Sequence, residues 1–223
     1  MRMRKKGNLD ERIANSGDYL IATEGSFINA LKFIEDKEYI DIKSVFGNKN
    51  SLQLDLGCGL GAFSVEKAIR NPNINFIGVE KFSNIIISAV DKARIAKVKN
   101  LKFLNCRVEC IEKYIRPQIV DVIYLNFSNP LPNKTDEKHR LTSKRYLEIY
   151  KRILKDGGKI EQKTDDIDFF EFSLKSFKDS GYIVDEICYD VENANIDGNI
   201  ITEHELKYMQ QGKKIYRLVA YKK

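Results

Sequence analysis

The run Asp55-Leu56-Gly57-Cys58-Gly59-Leu60-Gly61 places an acid ahead of three alternate glycines. Glycine adopts positive φ without penalty and lets a ligand approach the backbone closely. Where such a run joins a strand to a helix, the helix start adds N–H groups with no partner in the helix. The spacing differs from G-x-G-x-x-G, the pattern that cradles a dinucleotide pyrophosphate. An acid before the loop suits a ligand bearing an ammonium. S-adenosylmethionine has one on its amino-acid end and has no phosphate. Glu80 follows Gly61 by 19 residues, at the end of the next apolar run. A carboxylate there can accept from both hydroxyls of a ribose. Asp55, Gly57, Gly59, Gly61 and Glu80 are therefore candidate cofactor residues. Each alone also fits a tight turn or an exposed strand end; the combination favours the cofactor.

The elements around these residues alternate. Short apolar runs predict strands over 51–56, 75–80, 101–106, 120–127, 159–163, 183–191 and 215–221. Helical spacing predicts helices over 26–35, 62–70, 83–97, 144–155, 168–180 and 203–210. Ser83 is a candidate helix cap, and Gly157-Gly158 a candidate helix stop. Run 120–127 is almost uninterrupted in apolar character, as a buried parallel strand should be. Strand and helix in turn, closed by two strands, predict an α/β domain with a mostly parallel sheet. Such sheets bind ligands beyond the carboxyl ends of their strands, so sites are expected just after residues 56, 80, 106, 127 and 165. Residues 51–223 form the expected catalytic domain. Residues 1–50 form a basic arm and leading helices, the whole making one compact domain.

Composition bounds the chemistry. The chain has 223 residues, 43% of them hydrophobic and 31% charged, which fits one globular domain. No stretch approaches about 18 apolar residues, so no membrane span is expected. The basic start has no apolar segment behind it, which predicts no secretory signal and a cytoplasmic protein. Four cysteines lack C-x-x-C spacing and only two histidines are present, so neither a disulfide framework nor a metal centre is expected. The formal net charge is +6. Positive charge clusters at Arg2, Arg4, Lys5 and Lys6, and again at Lys134, Lys138, His139, Arg140, Lys144 and Arg145. A solvated surface accounts for scattered lysines; clusters of this kind neutralise phosphates and point to a nucleic acid.

Several further segments, in order along nearly the whole chain, carry a resemblance. They are Phe76-Ile-Gly-Val-Glu80, Tyr124-Leu-Asn126-Phe-Ser-Asn129-Pro130-Leu131-Pro132, Glu137-Lys-His-Arg140-Leu-Thr142, Lys163-Thr-Asp165, Gly198-Asn-Ile-Ile-Thr202-Glu203-His204-Glu205 and Gly212-Lys-Lys-Ile-Tyr216-Arg217. With the glycine run, they make the chain resemble the bacterial tRNA (guanine-N7)-methyltransferase family. The resemblance implies a Rossmann-like, class I S-adenosylmethionine-dependent methyltransferase with a seven-stranded, mostly parallel sheet and helices on both faces. It implies tRNA as partner, methylation of guanine N7 in the variable loop, and a monomer or homodimer. It assigns Asp55 and Glu80 to the cofactor, with Arg107 and Val108 at the adenine. Asp165, Thr202, Glu203, His204 and Glu205 fall to the target guanine and its surroundings, where carboxylates can accept from N1–H and the N2 amino group. Lys134 and Arg140 are further substrate candidates.

The segment after the fourth strand departs from the family. Its pattern D-P-W-P-K reads Asn129-Pro130-Leu131-Pro132-Asn133 here. The acid has become an amide, the tryptophan an aliphatic residue and the lysine an asparagine. Arg107 likewise stands where the family has an acid. Asn129, at the catalytic position and beside the cofactor, keeps an oxygen acceptor but lacks the charge, which predicts a slower enzyme. Two rivals follow from the same segment. Asn-Pro-Leu-Pro is similar to the turn of amino-methylating nucleic-acid enzymes. An RNA-binding paralogue with weakened chemistry is the other.

Overall fold

The computed structural model describes residues 8–21 and 37–223. The expected helix over 26–35 and the basic residues 1–6 lie outside the described residues. The chain divides into two compact units, residues 1–114 and 115–223.

The first unit holds α1 (Leu9–Ala14), a 3-10 turn (Gly17–Tyr19), β1 (Leu20–Ile21), α2 (Ile42–Phe46), β2 (Leu52–Leu56), α3 (Ala62–Arg70), β3 (Asn75–Val79), α4 (Ser83–Ile95), β4 (Leu101–Leu104), a second 3-10 turn (Val108–Cys110) and α5 (Ile111–Tyr114). Its strands lie in the order β1-β4-β3-β2, and every pairing is parallel. Every residue of β2, β3 and β4 is buried. Parallel strands inside a sheet lose solvent on both faces, so even the polar members Gln53, Asp55, Asn75 and Lys102 are buried. In α4 the inner face is Ile86, Ile87, Ala89, Val90 and Ala93, whereas Arg94 faces solvent and pairs with Asp91. The expected cap Ser83 is the first helical residue; its hydroxyl bonds Asn105 Oδ1 at 2.8 Å, and Phe82 precedes the helix. Described residues of the leading segment pack within this unit. Arg12 pairs with Asp91, and the Glu38 and Ile40 amides donate to the Lys113 and Tyr114 carbonyls.

The second unit holds β5 (Val120–Asn126), a 3-10 helix (Lys134–His139), α6 (Lys144–Ile153), β6 (Leu154–Thr164), α7 (Ile167–Asp179), β7 (Ile183–Cys188), α8 (Glu203–Gln210) and β8 (Tyr216–Tyr221). The order is β5-β6-β8-β7. β5 and β6 run parallel, with Asn126 beside Lys163; β8 is antiparallel to both β6 and β7. Tyr146, Leu147, Ile149, Tyr150 and Ile153 form the buried face of α6, and Phe169, Phe170, Leu174 and Phe177 that of α7. Gly157-Gly158 does not end a helix. α6 stops at Ile153 and β6 begins at once. The glycines lie in an irregularity where the β5 partner jumps from Leu154 to Lys159. A Cβ on Gly158 would stand 2.9 Å from the Lys155 carbonyl, so the kink requires glycine.

The two units carry eight strands among the described residues where the sequence predicts seven. The additional one, β1, has only two residues, too few to show a period.

Candidate functional site

In the first unit the glycine run sits where expected. β2 and β3 are in register, Asp55 beside Gly78 and Leu56 beside Val79. The Gly57 and Cys58 amides both donate to the Val79 carbonyl, at 2.8 and 3.0 Å, which folds the loop back over the end of β3. Gly57, Gly59 and Gly61 all take positive φ, at 81°, 55° and 76°. Their surroundings separate them. A Cβ on Gly61 would lie 2.5 Å from Ala89 Cβ, so this glycine lets α3 start against α4. A Cβ on Gly57 or Gly59 would meet nothing within 4 Å. Two glycines thus border open space, as a ligand cradle requires, and the third serves packing.

Asp55 is 5% exposed. Ser64 Oγ, one turn into α3, donates to its Oδ2 at 2.5 Å. Burial pushes the Asp55 carboxyl up to about 7; Ser64 opposes the shift and the charge of Glu80 adds to it. A buried acid with one neutral donor and another acid nearby is electrostatically incomplete. A ligand ammonium would complete it. The same burial, with Asp55 and Glu80 alongside, raises the Cys58 thiol well above its ordinary value, so the thiol stays neutral. Glu80 is half-buried and accepts from the Phe82 amide at 2.9 Å. Asn105 Nδ2 donates to the Glu80 carbonyl at 2.8 Å, tying the end of β4 to the end of β3. Arg107 pairs with Glu109 at 2.9 Å and precedes the 3-10 turn that Val108 begins. Its charge is thus partly met within the loop, which leaves backbone groups of 107 and 108 as the adenine contacts to consider.

In the second unit β5 ends in a strained turn. Phe127 and Leu131 take φ of 51° and 47°, rare for residues with side chains. Asn129 is exposed, and its Oδ1 accepts from the Leu131 amide at 3.2 Å. Arg140 holds the same turn from below. It is 6% exposed, donates to the Pro130 and Leu131 carbonyls at 2.7 and 3.1 Å, and lies 4.4 Å from the Phe172 ring centroid. Arg140 thus braces this loop through its backbone carbonyls. Lys134, Lys138, His139, Lys144 and Arg145 of the same basic cluster are exposed. Asn126 Nδ2 and Ser128 Oγ are buried and meet no hydrogen-bond partner among the described residues. Orphaned polar atoms at a strand's carboxyl end are what a bound ligand satisfies.

The Thr202–Glu205 run divides by helix geometry. Thr202 caps α8, and Glu205 returns the bond in a capping box. Glu205 is 1% exposed; Lys163 Nζ donates to its Oε2 at 2.6 Å and Asn199 Nδ2 to its Oε1 at 2.9 Å. Lys163 also donates to Asn199 Oδ1 and the Ile200 carbonyl, so all three of its protons are used. Burial lowers the Lys163 pKa and Glu205 opposes that shift. Glu205 is thus held in a buried ion pair with Lys163. Glu203 and His204 face solvent. The His204 ring stacks on Phe127 with centroids 5.9 Å apart and planes at 18°, and Tyr208 lies 5.9 Å from Phe127. Asp165 does not cap α7; Asp166 does, accepting from the Phe169 amide. Asp165 instead pairs with Lys213 at 2.7 Å, and Lys213 lies 4.6 Å from the Tyr208 ring centroid.

Sequence reasoning did not select Ser64, Lys163, Asn199, Phe127 or Tyr208 as site residues. The signals were slight: a lysine ending an apolar strand, and an aromatic ahead of the Asn-Pro turn.

Among the described residues no group of three or more His, Cys, Asp or Glu could hold a metal ion, and no helix is long and apolar enough to cross a membrane. The family described as "Putative methyltransferase" matches residues 49–218. The chain is 37% identical over 217 residues to the tRNA (guanine-N(7)-)-methyltransferase of Bacillus subtilis (strain 168), covering 97% of each. It is 36% identical over 224 residues to the enzyme of that name from Streptococcus thermophilus (strain CNRZ 1066), covering 99% of this chain and 98% of the relative. An antibiotic-related methyltransferase of known structure matches with a TM-score of 0.61 at 17% identity, over 90% of this chain and 96% of the other, a likeness of fold. With its parallel strands, its glycine turn beside a buried acid and relatives matched from end to end, this chain belongs to the tRNA (guanine-N7)-methyltransferase family.

Proposed function

We propose that this protein transfers a methyl group from S-adenosylmethionine to N7 of a guanine in tRNA, in the variable loop. The observation that carries the reading is the glycine turn: two positive-φ glycines beside open space, next to a buried acid with no cation against it among the described residues. The full-length relatives supply the substrate class.

When bound, S-adenosylmethionine supplies a sulfonium methyl: guanine N7 gives its lone pair to that carbon, the C–S pair returns to sulfur, and the positive charge passes to the purine. No proton leaves N7, so no general base is needed. The protein's part is positioning and electrostatics. Asp55 holds the ammonium of the donor, Glu80 the ribose hydroxyls, and the backbone of Arg107 and Val108 the adenine. Gly57 and Gly59 keep the cradle open. Asn129 offers an amide oxygen to the charge that develops on the guanine. Asp165 accepts from the guanine N1–H and N2 amino group. Lys134 and the exposed lysines beside it meet phosphates, and Arg140 keeps their loop in shape. Glu203 and His204 complete the substrate side on α8, held there by Thr202 and Glu205.

The test is incubation of the protein with unmodified tRNA and methyl-labelled S-adenosylmethionine, followed by chemical cleavage at 7-methylguanosine. One cleavage site in the variable loop is expected. Label on an exocyclic amine would establish the amino-methylating alternative. Cofactor binding with no label transferred to any tRNA would establish a weakened RNA-binding paralogue, the reading that Asn129 in place of an acid favours.

A further inference from the structure

We propose that Phe127, His204 and Tyr208 form a stacking platform on which the target guanine, and its cationic methylated product, rests. The inference rests on the guanine-N7 reading and deepens it.

Three observations converge. The first is the ring geometry. His204 lies nearly parallel to Phe127, and Tyr208 closes the cluster at 5.9 Å from Phe127 and 6.4 Å from His204. His204 is exposed, so one face of its ring is open to a base. The second is backbone conformation. Phe127 holds φ at 51°, an unfavourable conformation for an aromatic residue, while its amide donates to the Lys163 carbonyl at 2.8 Å. Strained residues of this kind collect at functional sites. Here the strain puts the ring against α8. The third is the neighbourhood. Lys213 sits over the Tyr208 ring and pairs with Asp165, so one chain of contacts joins the rings to the carboxylate proposed to read the guanine edge.

Chemistry gives the platform its purpose. Every base has a π face, and stacking on an aromatic side chain is a sequence-tolerant way to hold one out of its own stack. Methylation at N7 then places a positive charge in the purine, and a cation over an aromatic face is stabilised by the ring quadrupole. The segment after β5 has Leu131 where the family carries tryptophan, and the net charge at 129 is missing. The platform supplies both an aromatic surface and stabilisation of positive charge from elsewhere in the same unit. Lys163 and Glu205 act as positioning residues: their buried pair fixes the first turn of α8, from which His204 projects.

The experiment compares wild type with His204→Leu, which keeps bulk without a ring, and His204→Phe, which keeps the ring. Position 204 is solvent-exposed, so all three proteins should melt at the same temperature. Phosphate contacts carry most tRNA affinity, so the loss belongs in kcat more than in KM. With His204→Leu, kcat should fall about tenfold, within the range expected for losing one base–aromatic stack. With His204→Phe it should stay within about twofold of wild type. Independently of turnover, the N7-methyl proton resonance of 7-methylguanosine should shift upfield with wild type and His204→Phe and stay put with His204→Leu. If His204→Leu matches wild type in kcat and in shift, or if both variants lose equally, the platform is refuted. If wild type shifts the resonance but methylates no guanine, the guanine-N7 reading fails while the stack survives. If it methylates guanine N7 and shifts nothing, the stack alone fails.

Discussion

Position 129 is one of the places where this chain departs from the pattern of the family it resembles. Asn129 braces the turn by accepting from the Leu131 amide, and an aspartate would accept there equally well. Asn129→Asp therefore keeps the turn and adds a negative charge that, on the proposed reading, lies beside a purine that becomes positive. Single-turnover methylation of tRNA should rise by about tenfold or more, given what one preorganised electrostatic partner contributes. A fall in rate would show that position 129 does not act on the charge of the purine. Asp55 makes a second prediction. Its carboxyl is raised to about 7 by burial. A bound ammonium requires the ionised form, so below that pH a proton must leave on binding. Affinity for S-adenosylhomocysteine, which keeps the ammonium, should fall as pH drops from 8 to 6. Calorimetry in buffers of different ionisation heat should show proton release below pH 7 and little at pH 8. The linked sign for folding is opposite to that of a salt-bridged acid. The folded carboxyl holds its proton up to a higher pH than the unfolded one, so the ligand-free protein loses stability as pH rises through the window from about 4 to about 7.

At the scale of elements, the glycine turn can be dissected because its glycines differ in surroundings. Gly61→Ala drives a Cβ into Ala89 at a backbone φ of 76°. Overpacking of this kind costs about 1–3 kcal/mol, and the left-handed conformation about 1–2 more. Gly59→Ala meets open space and bears only the backbone cost, about 1–2 kcal/mol. Urea denaturation should rank Gly61→Ala as the less stable, while S-adenosylhomocysteine binding should be hurt disproportionately by Gly59→Ala. Binding that tracked stability in both would remove Gly59 from the cradle. The ion pair beneath α8 gives a complementary prediction. Lys163→Met leaves Glu205 buried and uncompensated, which costs about 3–5 kcal/mol. Adding Glu205→Gln should recover much of that loss, because no unpaired charge remains. A double variant as unstable as the sum of the two singles would contradict the pairing.

At the scale of the whole molecule, the net charge of +6 suits a polyanionic partner. Lys134, Lys138, His139, Lys144 and Arg145 are exposed in one stretch of the second unit, and four further cations lie among residues 1–6. Each phosphate neutralised contributes about −0.9 to the slope of log K against log salt on a duplex. Deleting residues 1–6 should weaken tRNA binding at low salt and flatten that slope by up to about 3.6, four charges at 0.9 each. An unchanged slope in filter binding between 50 and 200 mM salt would exclude these residues from the interface.

The sequence by itself determined the strand–helix alternation, the acid-glycine turn and the family, because each is carried by local periodicity or by residues adjacent in the chain. β5 was legible as a buried strand because its run is almost uninterrupted in apolar character, Asp121 apart, whereas β2 alternates Leu with Gln53 and Asp55 and only the structure shows both its faces buried. Tertiary structure decided the division of labour among residues of one type. Among three glycines, it took Ala89 to assign Gly61 to packing. Of the acids at 203 and 205, only the arrival of Lys163, forty-two residues away, committed Glu205 to an ion pair. Arg140 belonged to a basic cluster by sequence and to two backbone carbonyls by structure. The Phe127–His204 stack joins residues on a strand end and a helix 77 positions apart. Burial and partnership are properties of the packed chain, and residue type alone does not encode which of several like groups loses its water.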